Sequence, residues 1–122
     1  MLLLDTHTLL WWLGDSTKLS ASARKMIRDP AAVVYVSAGT VWEIAIKRSL
    51  GKVAISDEWY GATFRDFAEL PITAGHARRA GELPPHHRDP FDRVLIAQAL
   101  SEGLTIVTGD SAFDPYGVQV TW

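Results

Sequence analysis

Three short apolar runs, each closed by residues that can start a helix or a turn, restrict this chain more than any other feature. Residues 1–4 end at Asp5, residues 33–36 end at Ser37, and residues 104–107 end at Thr108-Gly109-Asp110. A continuous apolar run of this length is a strand buried on both faces, as a parallel sheet requires. Helix-length segments lie between the runs. Residues 6–13 stop at Gly14-Asp15-Ser16, and Ser20 can cap a helix running to about Asp29, before Pro30. Ser37 can cap a helix over 38–50, closed by Gly51. A further helix is expected from Ser56 or Asp57 to about Leu70-Pro71, with a short strand at 70–72. Thr73 can cap a helix over 74–82. Asp89-Pro90-Phe91-Asp92 is a strong helix start, with Asp89 as cap and Pro90 at the first position, and the helix stops at Gly103. Residues 118–120 complete the set as an edge strand. Strands alternating with helices predict a three-layer α/β/α domain on a mostly parallel sheet. Right-handed crossovers then bring the strand C-termini to one edge, where ligands of open α/β sheets bind.

The 122 residues fit one domain, and 48% hydrophobic residues suffice for its core. A net charge of −2 excludes nucleic-acid binding by bulk positive charge, so any such binding needs a local basic patch, bridging metal ions or a partner. With no cysteine there is no disulfide, thiol catalysis or thiolate metal site. The first residues lack the basic start and long apolar run of a signal peptide, and no stretch is long enough to cross a bilayer. A soluble, cytoplasmic protein with no membrane partner is expected.

Four acids fall where the chemistry of such a sheet belongs. Asp5 and Asp110 follow strands; Glu43 is the only charge between Ala38 and Ile46; Asp92 opens a helix that continues as Val94-Leu95-Ile96-Ala97. Each has a local alternative. Asp5 can simply cap the next helix, Asp110 can form a turn, Glu43 can pair with Lys47 one turn on, and Asp92 can favour the positive end of its helix. Together they place four carboxylates at one end of one sheet. Carboxylates crowded in this way repel and lose charge unless a cation joins them. Mg²⁺ or Mn²⁺, bound by a few carboxylates with waters retained, meets that need. Two such ions can activate water and stabilise the leaving oxygen of a phosphodiester without a Ser, Cys or His nucleophile.

Four segments occur in order: Leu2-Leu3-Leu4-Asp5-Thr6-His7, Thr40-Val41-Trp42-Glu43-Ile44-Ala45, His87-Arg88-Asp89-Pro90-Phe91-Asp92-Arg93-Val94-Leu95-Ile96-Ala97-Gln98-Ala99 and Val107-Thr108-Gly109-Asp110. This resembles the PIN-domain nucleases, and among them the VapC-type toxins of bacterial toxin–antitoxin pairs, over essentially the whole chain. The Asp-Pro-Phe-Asp-Arg run with Ile-Ala-Gln-Ala is the most specific piece. The resemblance implies a PIN-like fold and an endoribonuclease dependent on Mg²⁺ or Mn²⁺. It implies that Asp5, Glu43, Asp92 and Asp110 form the acidic metal-binding set, supported by Thr6 and Thr108. It also implies an RNA substrate, a small cognate antitoxin, and a homodimer or hetero-oligomer.

Other residues carry two readings each. Arg93 adjoins Asp92 and is a candidate to touch substrate or neutralise the acids, while Arg78, Arg79, Arg88 and Arg93 form either a phosphate-binding rim or a solvated face. His7 can reach the acids or serve as a structural histidine. His86-His87 lacks zinc spacing. Asp89 is better explained as a cap, and Asp114 is either an extra acid or, with Pro115, part of a turn. Adjacent Trp11 and Trp12 point about 100° apart on a helix, so either one stands in a groove or interface, or a thin domain wraps both. The competing functions are a metal-dependent phosphatase and a non-catalytic module binding RNA or protein. The position two residues after Asp5 is His7, which departs from the phosphatase pattern of paired acids.

Overall fold

A computed structural model describes all residues, 1–122. Five strands, β1 (Leu2–Leu4), β2 (Val34–Ser37), β3 (Ala68–Leu70), β4 (Thr105–Val107) and β5 (Val120–Thr121), form one sheet in the order β3-β2-β1-β4-β5. Every pairing is parallel. The helices are α1 (Thr6–Leu13), α2 (Ala21–Arg28), α3 (Ala38–Ser49), α4 (Trp59–Asp66), α5 (Ala74–Glu82) and α6 (Pro90–Glu102). No helix is long and apolar enough to cross a membrane.

Alternation along β1 explains the three layers. Leu3 and Leu4 are both fully buried but enter opposite cores. Leu4 joins Leu9, Ile27, Val36, Ile44 and Phe67. Leu3 joins Leu95, Ile96, Ala99, Ile106 and Phe113 on the other face. A strand flanked this way must be apolar at successive positions, which is why the runs lack polar alternation.

The caps set where each crossover turns. Asp5, Ser20, Ser37, Thr73 and Asp89 each accept a backbone N–H at the start of α1, α2, α3, α5 and α6 respectively. Gly103 ends α6 in the left-handed region, at φ 66°.

The structure corrects the bounds of three elements and adds a turn. The expected helix from Ser56 or Asp57 begins only at Trp59, because the Ser56 hydroxyl accepts the Glu58 N–H and holds a turn there. That helix ends at Asp66, since Phe67 turns extended into the core, and β3 occupies Ala68–Leu70 rather than 70–72. Pro71, without an N–H, follows the strand. The last strand is Val120–Thr121 rather than 118–120, because Val118 is committed to the second core. Between Asp110 and that strand, Ser111–Tyr116 forms a 3₁₀ turn, capped by the Asp110 side chain.

Candidate active site

The central pair of strands delivers the first two acids. Leu4 and Val107 are register partners, so the chain leaves β1 and β4 side by side. Buried Asp5 uses one carboxylate oxygen to cap α1 through the Thr8 N–H (2.8 Å). Its other oxygen accepts the Thr108 hydroxyl at 2.6 Å. Thr108 Oγ1 in turn accepts the Asp110 N–H at 3.0 Å, and Asp110 caps the 3₁₀ turn through the Ala112 N–H. Asp5, Thr108 and Asp110 thus form one chain of hydrogen bonds. Asp5 and Asp110 also line a common cavity of about 450 Å³ with His7, Trp11, Lys18, Gly109 and Trp122.

Gly109 has a definite reason to be glycine. A Cβ there would lie 2.9 Å from the Trp122 indole. Gly109→Ala is expected to displace Trp122, open the cavity beside Asp110 and cost about 1–3 kcal/mol, checked by urea unfolding.

Glu43, on the second turn of α3, is buried and joins the same edge through Thr6. The Thr6 hydroxyl donates to Glu43 Oε1 at 2.6 Å, and Lys47 donates to Oε2 at 2.7 Å. Glu43 pairs with Lys47 as its spacing allows, yet this is not a surface pair, since the Glu43 side chain is only 6% exposed. The pairing raises the Lys47 pKa, chiefly through the hydrogen bond to Glu43, with further contributions from the charges of Glu43, Asp89 and Asp92.

Asp92 approaches from α6. Its Oδ2 meets His87 Nε2 at 2.7 Å. Burial pushes its pKa up to about 6; the His87 hydrogen bond opposes this, and the charges of Asp89 and Glu43 add to it. Trp42 and Phe91, the residues just before Glu43 and Asp92, pack edge to face across the same two helices.

Asp5 and Asp110 are joined through Thr108, whereas Glu43 and Asp92 share no hydrogen bond and act on one another through charge. No three acid or histidine side chains are grouped tightly enough to hold one metal ion as they stand. Lys47 and His87 occupy oxygens that a cation would use.

Arg93 does not face the acids. Its guanidinium donates to the carbonyls of Ala80, Leu83, Pro84 and His87 and to the Tyr116 hydroxyl. This corrects its expected role: a planar group with five donors fits a cage of carbonyls better than a crowded acid already matched to His87. Arg93 acts on Asp92 only through the loop that carries His87. His87 carries no sequence signal for this contact, since adjacent histidines have no zinc spacing and a loop residue five positions before its partner has no periodicity. Trp11 and Trp12 divide as their angle demands. Trp11 stacks with His7 and lines the cavity, and Trp12 packs on Phe67.

The sequence profile of the PIN domain matches residues 2–118. The chain belongs to the PIN domain family. It is 29% identical over 111 residues to Ribonuclease VapC22 of Mycobacterium tuberculosis, covering 88% of this chain and 85% of that protein. Among solved structures, the fold resembles VapBC2 from Rickettsia felis bound to a promoter DNA fragment, with a TM-score of 0.75, 13% identity and coverage of 99% and 98% of the two chains. It likewise resembles DNA-bound VapBC from Salmonella typhimurium, with a TM-score of 0.73, 18% identity and coverage of 98% and 96%. A toxin–antitoxin complex from Klebsiella pneumoniae gives a TM-score of 0.73 at 16% identity, covering 100% and 97%. The all-parallel sheet with helices on both faces is thus the PIN fold.

Proposed function

We propose that this PIN domain is a divalent-metal-dependent endoribonuclease that hydrolyses RNA phosphodiester bonds as the toxin of a toxin–antitoxin pair. The observation that carries the reading is the grouping of Asp5, Glu43, Asp92 and Asp110 toward one edge of the sheet, with burial disfavouring the charge of Asp92. Family membership and the relative named as a ribonuclease support it. The likeness to toxin–antitoxin complexes supports a small antitoxin as partner and assembly as a homodimer or hetero-oligomer. The cytoplasm, where RNA and such a partner meet, is the proposed location.

The donor set fits a hard cation in kind, since it offers carboxylate oxygens and no thiolate. Asp92 supplies the electrostatic test of fit: its burial near Asp89 and Glu43 disfavours its charge, the imbalance that a cation corrects. Asp5, Glu43, Asp92 and Asp110 would hold Mg²⁺ or Mn²⁺. When bound, the metal supplies an activated water and neutralises charge on the phosphate and leaving oxygen. The protein's own part is orientation. Thr108 fixes Asp5, Thr6 fixes Glu43, His87 fixes Asp92, and the cap role of Asp110 holds the last acid at the cavity mouth.

A linked pH effect follows from Asp92. Its folded pKa lies above the ordinary value, so without metal its contribution to stability is present at low pH and is lost as pH rises through about 6. A cation favours the ionised form. Metal affinity is therefore expected to increase as pH rises through about 6, with proton release, and Asp92→Asn to flatten that dependence. Calorimetric Mn²⁺ titration in two buffers of different ionisation heat, below and above this pH, checks it.

One observation favours a non-catalytic binding module: Lys47 and His87 already engage Glu43 and Asp92. Partner-free protein incubated with structured and single-stranded RNA in Mg²⁺, Mn²⁺ or EDTA decides. Metal-dependent cleavage supports the nuclease. Metal binding without cleavage of any RNA points to a phosphatase or a narrow target, and neither activity supports the binding module.

A further inference from the structure

The cavity beside Asp5 and Asp110 does not end there. Trp11 and Lys18 line it and also line a neighbouring groove of about 710 Å³ between α1 and α4. That groove continues past Lys52 to Arg65. Lys18, Lys52 and Arg65 are all exposed, and none has a carboxylate within ion-pairing distance. Their side chains also make no hydrogen bond within the protein, unlike Arg24, Lys47, Arg48 and Arg78, each of which is matched to an acid. The only carboxylate lining the groove is that of Glu58. On a chain of net charge −2, three unmatched cations in one groove form a local positive field.

The aromatic component is equally specific. Trp11 is partly exposed at the junction of cavity and groove, with His7 stacked on it and the edge of Trp122 against it. Single-stranded nucleic acid is held by this combination, cations along the backbone and an indole against a base. A duplex does not offer its base faces to such a surface.

We infer that single-stranded RNA runs from the acidic edge along the α1–α4 groove, its phosphates on Lys18, Lys52 and Arg65 and one base against Trp11. The inference rests on the ribonuclease reading and adds the direction and strandedness of the substrate. Continuity supports the assignment: Trp11 and Lys18 line both the groove and the cavity that Asp5 and Asp110 share, so a strand reaching those acids has this exit.

The test is equilibrium binding in EDTA, where cleavage cannot contribute, using a fluorescein-labelled single-stranded RNA of mixed sequence across a series of salt concentrations. The combined Lys18→Gln, Lys52→Gln and Arg65→Gln protein is expected to bind at least about tenfold more weakly. Its log–log salt slope should be shallower by about 2, from three lost phosphate contacts at about 0.7 each. Combined Lys25→Gln and Arg28→Gln, in a separate cavity along α2, serves as the charge control and should bind as the unmodified protein does. Restoring charge with Lys18→Arg, Lys52→Arg and Arg65→Lys should restore binding. Trp11→Phe should retain most of the affinity, whereas an RNA with all bases abasic should lose affinity for the unmodified protein. Equal loss in the α2 control, or unchanged RNA binding in the groove variant, overturns the path. Loss of binding to a protein partner alone, with RNA binding intact, also overturns it and assigns the groove to that partner. If the unmodified protein neither binds nor cleaves RNA with metal, the ribonuclease reading itself fails, a result distinct from any groove-specific loss.

Discussion

Asp5→Asn is expected to lower RNA cleavage by about 10²–10³-fold while leaving the fold within about 1 kcal/mol of the parent, the usual scale for losing one electrostatic group from an active site. The separation follows from the two oxygens of Asp5. One caps α1 at the Thr8 N–H, and asparagine caps nearly as well as aspartate. The other accepts the Thr108 hydroxyl. An amide nitrogen there reverses that hydrogen bond rather than leaving Thr108 buried and unpaired, since Thr108 Oγ1 can accept as well as donate. The negative charge is lost, and with it the attraction for a cation. Cleavage rates with Mn²⁺ alongside thermal unfolding check both halves. Full activity in a folded Asp5→Asn protein would remove Asp5 from the site; a collapse in stability would show that its role is structural.

The largest loss of stability is expected from Arg93→Met, at about 3 kcal/mol by urea unfolding. Arg93 is the shared donor for four carbonyls in the segment from Ala80 to His87 and for Tyr116. Hydrogen bonds from a charged donor contribute about 1.5–3 kcal/mol each, and methionine keeps the apolar stem while removing all of them. The several bonds share one loss because the loop can relax to water. Arg93→Lys should recover only part of it, since an ammonium lacks the planar fork. Because the loop carries His87, the variant should also loosen the His87–Asp92 contact and weaken metal binding more than its distance from the acids implies. A change in stability below about half a kcal/mol would show that the loop holds itself without the guanidinium.

The sheet and most helices were legible in the sequence because their signals are local. Short, mainly apolar runs announced β1, β2 and β4, and the caps at Ser20, Ser37, Thr73 and Asp89 sit where side-chain chemistry dictates. The edge elements were less legible. β3 reads Ala-Glu-Leu and is mostly exposed, so neither period nor burial marks it. For the site, residue type and element ends placed all four acids at one sheet edge, but their partners come from tertiary packing. That His87 meets Asp92, that Arg93 turns away from it, and that Lys47 holds a buried rather than a surface Glu43 depend on a loop path and a helix rotation that spacing does not encode. The groove cations were equally hidden: Lys18, Lys52 and Arg65 lie far apart in sequence and gather only where α1 meets α4.

The bond between Thr108 and Asp5 spans 103 residues and joins the central strand to its penultimate neighbour. Synthesis proceeds from the N-terminus at about 5–20 residues per second, so roughly 5–20 s separate the two partners on the ribosome. During that interval β1 can pair with β2 once Val34–Ser37 is made, but it lacks β4 and the Asp110 turn. The acidic edge is therefore incomplete in every nascent chain that has not yet reached Thr108. A translating ribosome carries this chain without an assembled site, and the timing of any partner's arrival is measured from the emergence of β4, not from the start of synthesis.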